Sequence, residues 1–149
     1  MVGDKREIVL ALSGGGARGA FHLGVLHYLD EQNIKVKAIC ATSIGSIVAA
    51  SYASGVSPKE QLEIFKQKSI KKIFSFGWFR GSFFNIDLDA KVIDTLIKKQ
   101  KLEDLNIPVY ITALDLENVE EIYFQSGDLK TVCSASSALV PVFKPVEYE

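Results

Sequence analysis

The chain has 149 residues, 48% apolar and 23% charged, which is enough for one domain with a sizeable core. Its net charge of −1 argues against a nucleic-acid partner, which needs a basic surface. No apolar run reaches the roughly 18 residues of a membrane span, and IVLAL near the start is shorter than the about 7–15 apolar residues of a signal peptide.

Ile8–Leu12 reads as a buried strand, Ser13–Gly16 as a loop, and Ala17–Glu31 as a helix with Phe21, Val25, Tyr28 and Leu29 at helical spacing. Val36–Ala41 is a second buried strand, and Ile44–Ser54 a helix that stops at Gly55. Ser57, Pro58 and Glu60 spell a helix start, with Ser57 as N-cap and Glu60 closing a capping box; Leu62–Lys68 continues it. Asn85 or Asp87 caps a further helix running to about Lys99. Pro108–Asp115 and Glu120–Gln125 alternate like strands joined by a short turn, and Leu129–Ala138 is a helix ended by Pro141. The pattern predicts one α/β domain with a mixed, mostly parallel sheet and helices on both faces. The two cysteines, Cys40 and Cys133, lie outside metal-ligand spacing and are expected to be reduced and buried, in a cytoplasmic setting.

Ser43 stands where a buried strand turns directly into a helix. A nucleophile elbow needs that context, and it needs small residues two before and two after the serine. Ala41 and Gly45 occupy those places. The hydroxyl is then lifted out at the carboxyl end of the strand, beside a helix N-terminus that favours developing negative charge. The plainer alternative is that Thr42 or Ser43 simply caps the second helix.

Gly14, Gly15 and Gly16 lie between the first strand and the first helix, where consecutive glycines can turn backbone N–H groups toward one point. In a parallel sheet this loop opens at the same edge as Ser43. Gly14, Gly16 and Gly19 also spell GxGxxG, the dinucleotide-binding pattern. That pattern expects an acidic residue at the end of the second strand, and here the strand ends Cys40-Ala41-Thr42-Ser43, with Asp30 and Glu31 closing a helix instead.

GGGARG at Gly14–Gly19 followed by ATSIGS at Ala41–Ser46 resembles the patatin-like phospholipases, serine acyl hydrolases with a Ser–Asp dyad. The resemblance continues through Thr112–Tyr148, with a proline–phenylalanine–proline run at Pro141–Pro145, and is weakest across Lys66–Lys101. It implies Ser43 as nucleophile and the backbone N–H groups of Gly14, Gly15, Gly16 and Arg18 as oxyanion hole, with the Arg18 side chain orienting the loop rather than touching the substrate. It implies lipid acyl esters as substrates and no metal or organic cofactor. Two departures stand out. Ala41 replaces the family's usual glycine. The catalytic aspartate belongs to an Asp-Gly motif downstream of the proline run, and no Asp-Gly pair occurs in the sequence. These residues are therefore expected to be the front portion of the domain, inactive alone, with uncovered apolar surface that favours self-association. Asp115 is a lesser candidate for the base, while His22 and His27, five apart on one helix, read as structural.

Six aromatic residues between Phe74 and Phe84 are interleaved with Arg80 and follow Lys71 and Lys72. Such a segment suits a lipid interface, hence peripheral membrane contact, or a loop packed on the core. The rival functions are a non-catalytic lipid-binding or interaction module with the same fold, and a dinucleotide-binding domain.

Overall fold

The computed structural model describes residues 6–66, 94–140 and 145–148. Four strands form one sheet in the order β1 (Glu7–Leu12), β2 (Lys35–Ala41), β3 (Val109–Asp115) and β4 (Glu120–Phe124). The first three are parallel, and β4 pairs antiparallel with β3. A 3-10 turn (Gly16–Gly19) and α1 (Ala20–Glu31) link β1 to β2. Helices α2 (Ile44–Ala53) and α3 (Pro58–Lys66) follow β2, and α4 (Leu129–Ser137) follows β4. The sheet is thus mixed and mostly parallel, as the alternating strand and helix patterns imply.

The chain steps from β1 to β2 to β3 in one direction. Helices α1, α2 and α3 contact one another and so gather on a single face of the sheet. That face buries Leu12, Val36, Ile39, Ala41, Val109 and Ile111. On the opposite row Val9 is 63% exposed, and Cys40, Leu114 and Tyr123 are exposed too. Of the two faces expected to carry helices, the described residues cover one.

Helix α2 lies against all three parallel strands and against α1, α3 and α4. Its sequence, IGSIVAASYA, is small or apolar on every side, and such a helix is buried all round. It ends in a Schellman motif: Val56 N–H donates to Ser51 O at 3.1 Å and Gly55 N–H to Tyr52 O at 2.9 Å, with Gly55 at φ 90°. The capping box of α3 forms as expected, Ser57 N–H donating to Glu60 Oε2 at 2.8 Å and Glu60 N–H to Ser57 Oγ at 3.3 Å. The start of α4 is tied down by Asp128, whose Oδ1 accepts the Thr131 N–H at 2.9 Å. The preceding segment is laced to it through Leu129 N–H to Gln100 O (2.8 Å) and Leu102 N–H to Gly127 O (3.0 Å).

Three expectations are corrected. The buried stripe of α1 is Leu23, Leu26 and Leu29, while Phe21 is 78% exposed and Val25 and Tyr28 are exposed with it. Both stripes are apolar, and packing against α2 and α3 selects the leucines. Cys40 is exposed, because alternation with the buried Ile39 and Ala41 sends it to the open row. Cys133 is buried as expected, and burial pushes its thiol up to about 12. The helix expected to reach Lys99 ends earlier: residues 94–96 are helical and 97–99 are not. Its proposed start at Asn85 or Asp87, and the aromatic segment Phe74–Phe84, lie outside the described residues.

Candidate nucleophile elbow and glycine loop

Only Thr42 and Ser43 separate β2 from α2. So short a junction forces Ser43 to φ 54° and ψ −126°, a conformation that costs of order 1–3 kcal/mol in a non-glycine residue. Its backbone polar groups are nevertheless satisfied. Thr42 N–H donates to Leu12 O at 3.1 Å, Gly45 N–H to Thr42 O at 2.9 Å, and Ser46 N–H to Ser43 O at 2.8 Å. The Ser46 hydroxyl donates to Ser43 O at 2.6 Å, and Ser43 N–H donates to the Ser136 hydroxyl at 2.8 Å.

Neither hydroxyl of the junction caps the helix. The Ser43 side chain makes no capping hydrogen bond to α2, and the Thr42 hydroxyl bonds that of Thr112 on β3. Among the described residues no side chain occupies the Ser43 hydroxyl. It sits half-buried at the carboxyl edge of β2, at the N-terminal end of a ten-residue helix.

The small neighbours have distinct reasons. A Cβ on Gly45 would lie 2.2 Å from Leu12 O and 2.9 Å from Ser13 O, so helix and strand backbones touch there and only glycine fits. Ala41 is buried and its methyl is accommodated. A Cβ on Gly14 would lie 3.3 Å from Ser43 Cβ and 3.9 Å from Ser43 Oγ, which makes the glycine loop and the serine side chain direct neighbours. Gly15 and Gly16 hold φ of 154° and 55°. Gly19 packs on Ile44, the first residue of α2, where a Cβ would approach its side chain to 2.4 Å. The loop is fixed by Arg18 N–H, which donates to Gly15 O at 3.1 Å, and by His22, whose Nε2–H donates to Ser13 O at 2.9 Å. His22 thus acts structurally. His27 pairs with Glu31 on the surface at 3.4 Å.

Asp115 is committed elsewhere. Its Oδ1 accepts Glu117 N–H at 2.8 Å and Asn118 N–H at 3.2 Å, and its Oδ2 accepts the Asn118 side chain at 2.8 Å. The Asn118 side chain first, then the two backbone N–H groups, hold its carboxyl below the usual carboxylate range, which weakens it as a base. Asp30, near the end of α1, accepts the Tyr52 hydroxyl at 2.6 Å. Burial first, then Asp30, pushes the Tyr52 phenol up. Among the described residues no three His, Cys, Asp or Glu side chains gather to hold a metal ion, and no helix is long and apolar enough to cross a membrane. The residue that pattern reading missed is Ser136, which reaches the elbow from 93 positions away.

The patatin-like phospholipase family model matches residues 10–149. A patatin-like phospholipase domain-containing protein of Caenorhabditis elegans is 32% identical over 93% of this chain, and this chain spans 11% of it. A lysophospholipase of Candida glabrata is 32% identical over 95% of this chain, which spans 9% of that protein. An uncharacterized NTE family protein of Mycobacterium bovis is 26% identical over 96%, with 40% of its length spanned. Among solved structures, the type III effector protein ExoU (TM-score 0.59, 16% identity, 92% of this chain and 41% of that one) shares the fold. So does VipD from Legionella pneumophila (TM-score 0.59, 14% identity, 97% and 44%).

Proposed function

This chain belongs to the patatin-like phospholipase family, and from that premise we propose that it carries the nucleophile and oxyanion loop of a lipid acyl-ester hydrolase. The observation that carries the reading is Ser43 itself: a strained backbone at φ 54° beside Gly14, with a hydroxyl that no cap consumes. Proteins keep such strain where the surrounding structure imposes it and function uses it.

The chemistry follows. A carboxylate takes the hydroxyl proton, and Ser43 Oγ bonds to the ester carbonyl carbon. The carbonyl oxygen gains negative charge beside the amides of Gly14, Gly15 and Gly16, in the field of the α2 N-terminus. Collapse breaks the bond to the leaving alcohol, which departs with the proton. Water then releases the acyl group by the same steps and restores the serine. The base is the aspartate of an Asp-Gly pair, which this sequence does not contain, so the 149 residues alone do not turn over. No metal or organic cofactor enters the scheme. The reading places the protein in the cytoplasm, with Phe74–Phe84 as its contact to a membrane surface.

A biotinylated fluorophosphonate tests the reading. We expect a stable adduct on the peptide containing Ser43 and none on Ser43→Ala. Failure to label a form that carries the Asp-Gly base overturns it. One observation favours a second reading, a lipid-binding module without catalysis: among the described residues no carboxylate or imidazole hydrogen-bonds the Ser43 hydroxyl. Co-flotation with phospholipid vesicles without labelling supports that alternative.

A further inference from the structure

We propose that Ser136 on α4 is a positioning residue for Ser43, its hydroxyl holding the elbow amide in the orientation the strained junction requires. The contact stands on geometry alone; its catalytic consequence rests on the hydrolase reading above.

The hydrogen bonds that fix the elbow come from two sources. Those of Thr42 O and Ser43 O are local, made by Gly45 and Ser46, and that of Thr42 N–H continues the β1–β2 ladder to Leu12 O. Ser43 N–H is different. At φ 54° the chain has left the register of β2, whose last pairings are Ala41 with Leu12 and with Ile111. The strand ladder offers this amide no carbonyl, and the N-terminal amides of a helix have none within it. Its acceptor is the Ser136 hydroxyl at 2.8 Å, in a partly buried position.

The contact lies where two helix faces meet. Ser43 and Ser46 are three apart where α2 begins, and Cys133 and Ser136 are three apart on α4, so each pair lies on one helix face. Ser46 and Cys133 are both buried where α2 packs on α4. Helix α4 is in turn anchored at its start by Asp128 and packs on β3. A segment distant in sequence thus grips Ser43 by its backbone and not by its side chain. Ser137, the next residue, has a buried hydroxyl with no partner among the described residues and makes a matched control.

The experiment follows amide hydrogen exchange of Ser43 by NMR in the 149-residue chain, alongside fluorophosphonate labelling in a form carrying the Asp-Gly base. In the unsubstituted protein the Ser43 amide is expected to be protected although it lies outside the strand ladder. Ser136→Ala should raise its exchange about tenfold, the equivalent of one lost hydrogen bond, with Ala49 and Ala50 unchanged. Labelling should slow by a similar factor. Ser136→Thr should restore both, and Ser137→Ala should change neither. An unprotected Ser43 amide in the unsubstituted protein overturns the proposal, as does unchanged exchange in Ser136→Ala. So does labelling that runs as fast in Ser136→Ala as in the unsubstituted protein. If the unsubstituted protein does not label at all, the hydrolase reading fails, and the exchange measurements still decide the clamp.

Discussion

The turns that leave β2 and β3 use polar side chains in opposite ways. Each contains one non-glycine residue at positive φ, Ser43 at 54° and Val119 at 57°. After β3, the carboxylate of Asp115 is spent on the turn, accepting from two backbone amides and one side chain. After β2, no described residue takes up the serine hydroxyl, and the strained backbone is held by other residues, one of them on α4. A polar atom consumed by its own turn is structural. A polar atom kept free at the cost of strain is available for chemistry.

The most severe way to break this contrast is Gly45→Ala. Its Cβ would collide with the Leu12 carbonyl, and relieving that contact should cost about 3 kcal/mol or more, read as a lowered urea midpoint. Ser43→Gly should abolish labelling and yet raise stability by about 1 kcal/mol, because glycine accepts φ 54° without strain. If the hydroxyl were instead capping α2, the same change would lower stability by a few tenths of a kcal/mol, roughly. Val119→Gly should give a smaller gain, about 0.5–1 kcal/mol, and leave labelling untouched, since Val119 is exposed in the hairpin turn.

The gentlest test uses pH. The Asp115 carboxyl lies below its usual range when folded, so its contribution is present above the unfolded value of about 3.9 and is lost as pH falls through the folded one. Asp115→Asn keeps an oxygen for the turn amides but cannot titrate. Its stability, followed by urea unfolding from neutral pH into acid, should fall less steeply below about pH 4 than that of the parent.

Features written in adjacent residues were legible in the sequence. The Ser57–Glu60 capping box and the Gly55 stop each depend on a few neighbours, and each appears where the pattern places it. Features decided between distant segments were not. Helix α1 carries two apolar stripes, and only its packing partners choose Leu26 over Phe21. The run Val36–Ala41 is too apolar to reveal which alternate residues face the open row, so nothing in it marks Cys40 as exposed. Ser136 lies among other small residues, and nothing nearby marks it as the acceptor for Ser43.

The nearly complete burial of α2 makes the site unevenly compliant. Its interior amides break only when the whole fold opens, whereas Ser13–Arg18 is exposed along its length and carries none of that cooperative protection. On the proposed reading, an acyl group at Ser43 would rest on a stiff floor, the helix, and meet an exposed rim, the loop. On that reading, variation in acyl-group bulk is expected at the exposed Ala17 and Arg18 rather than at the glycines or on the helix, where a change puts the whole molecule at risk.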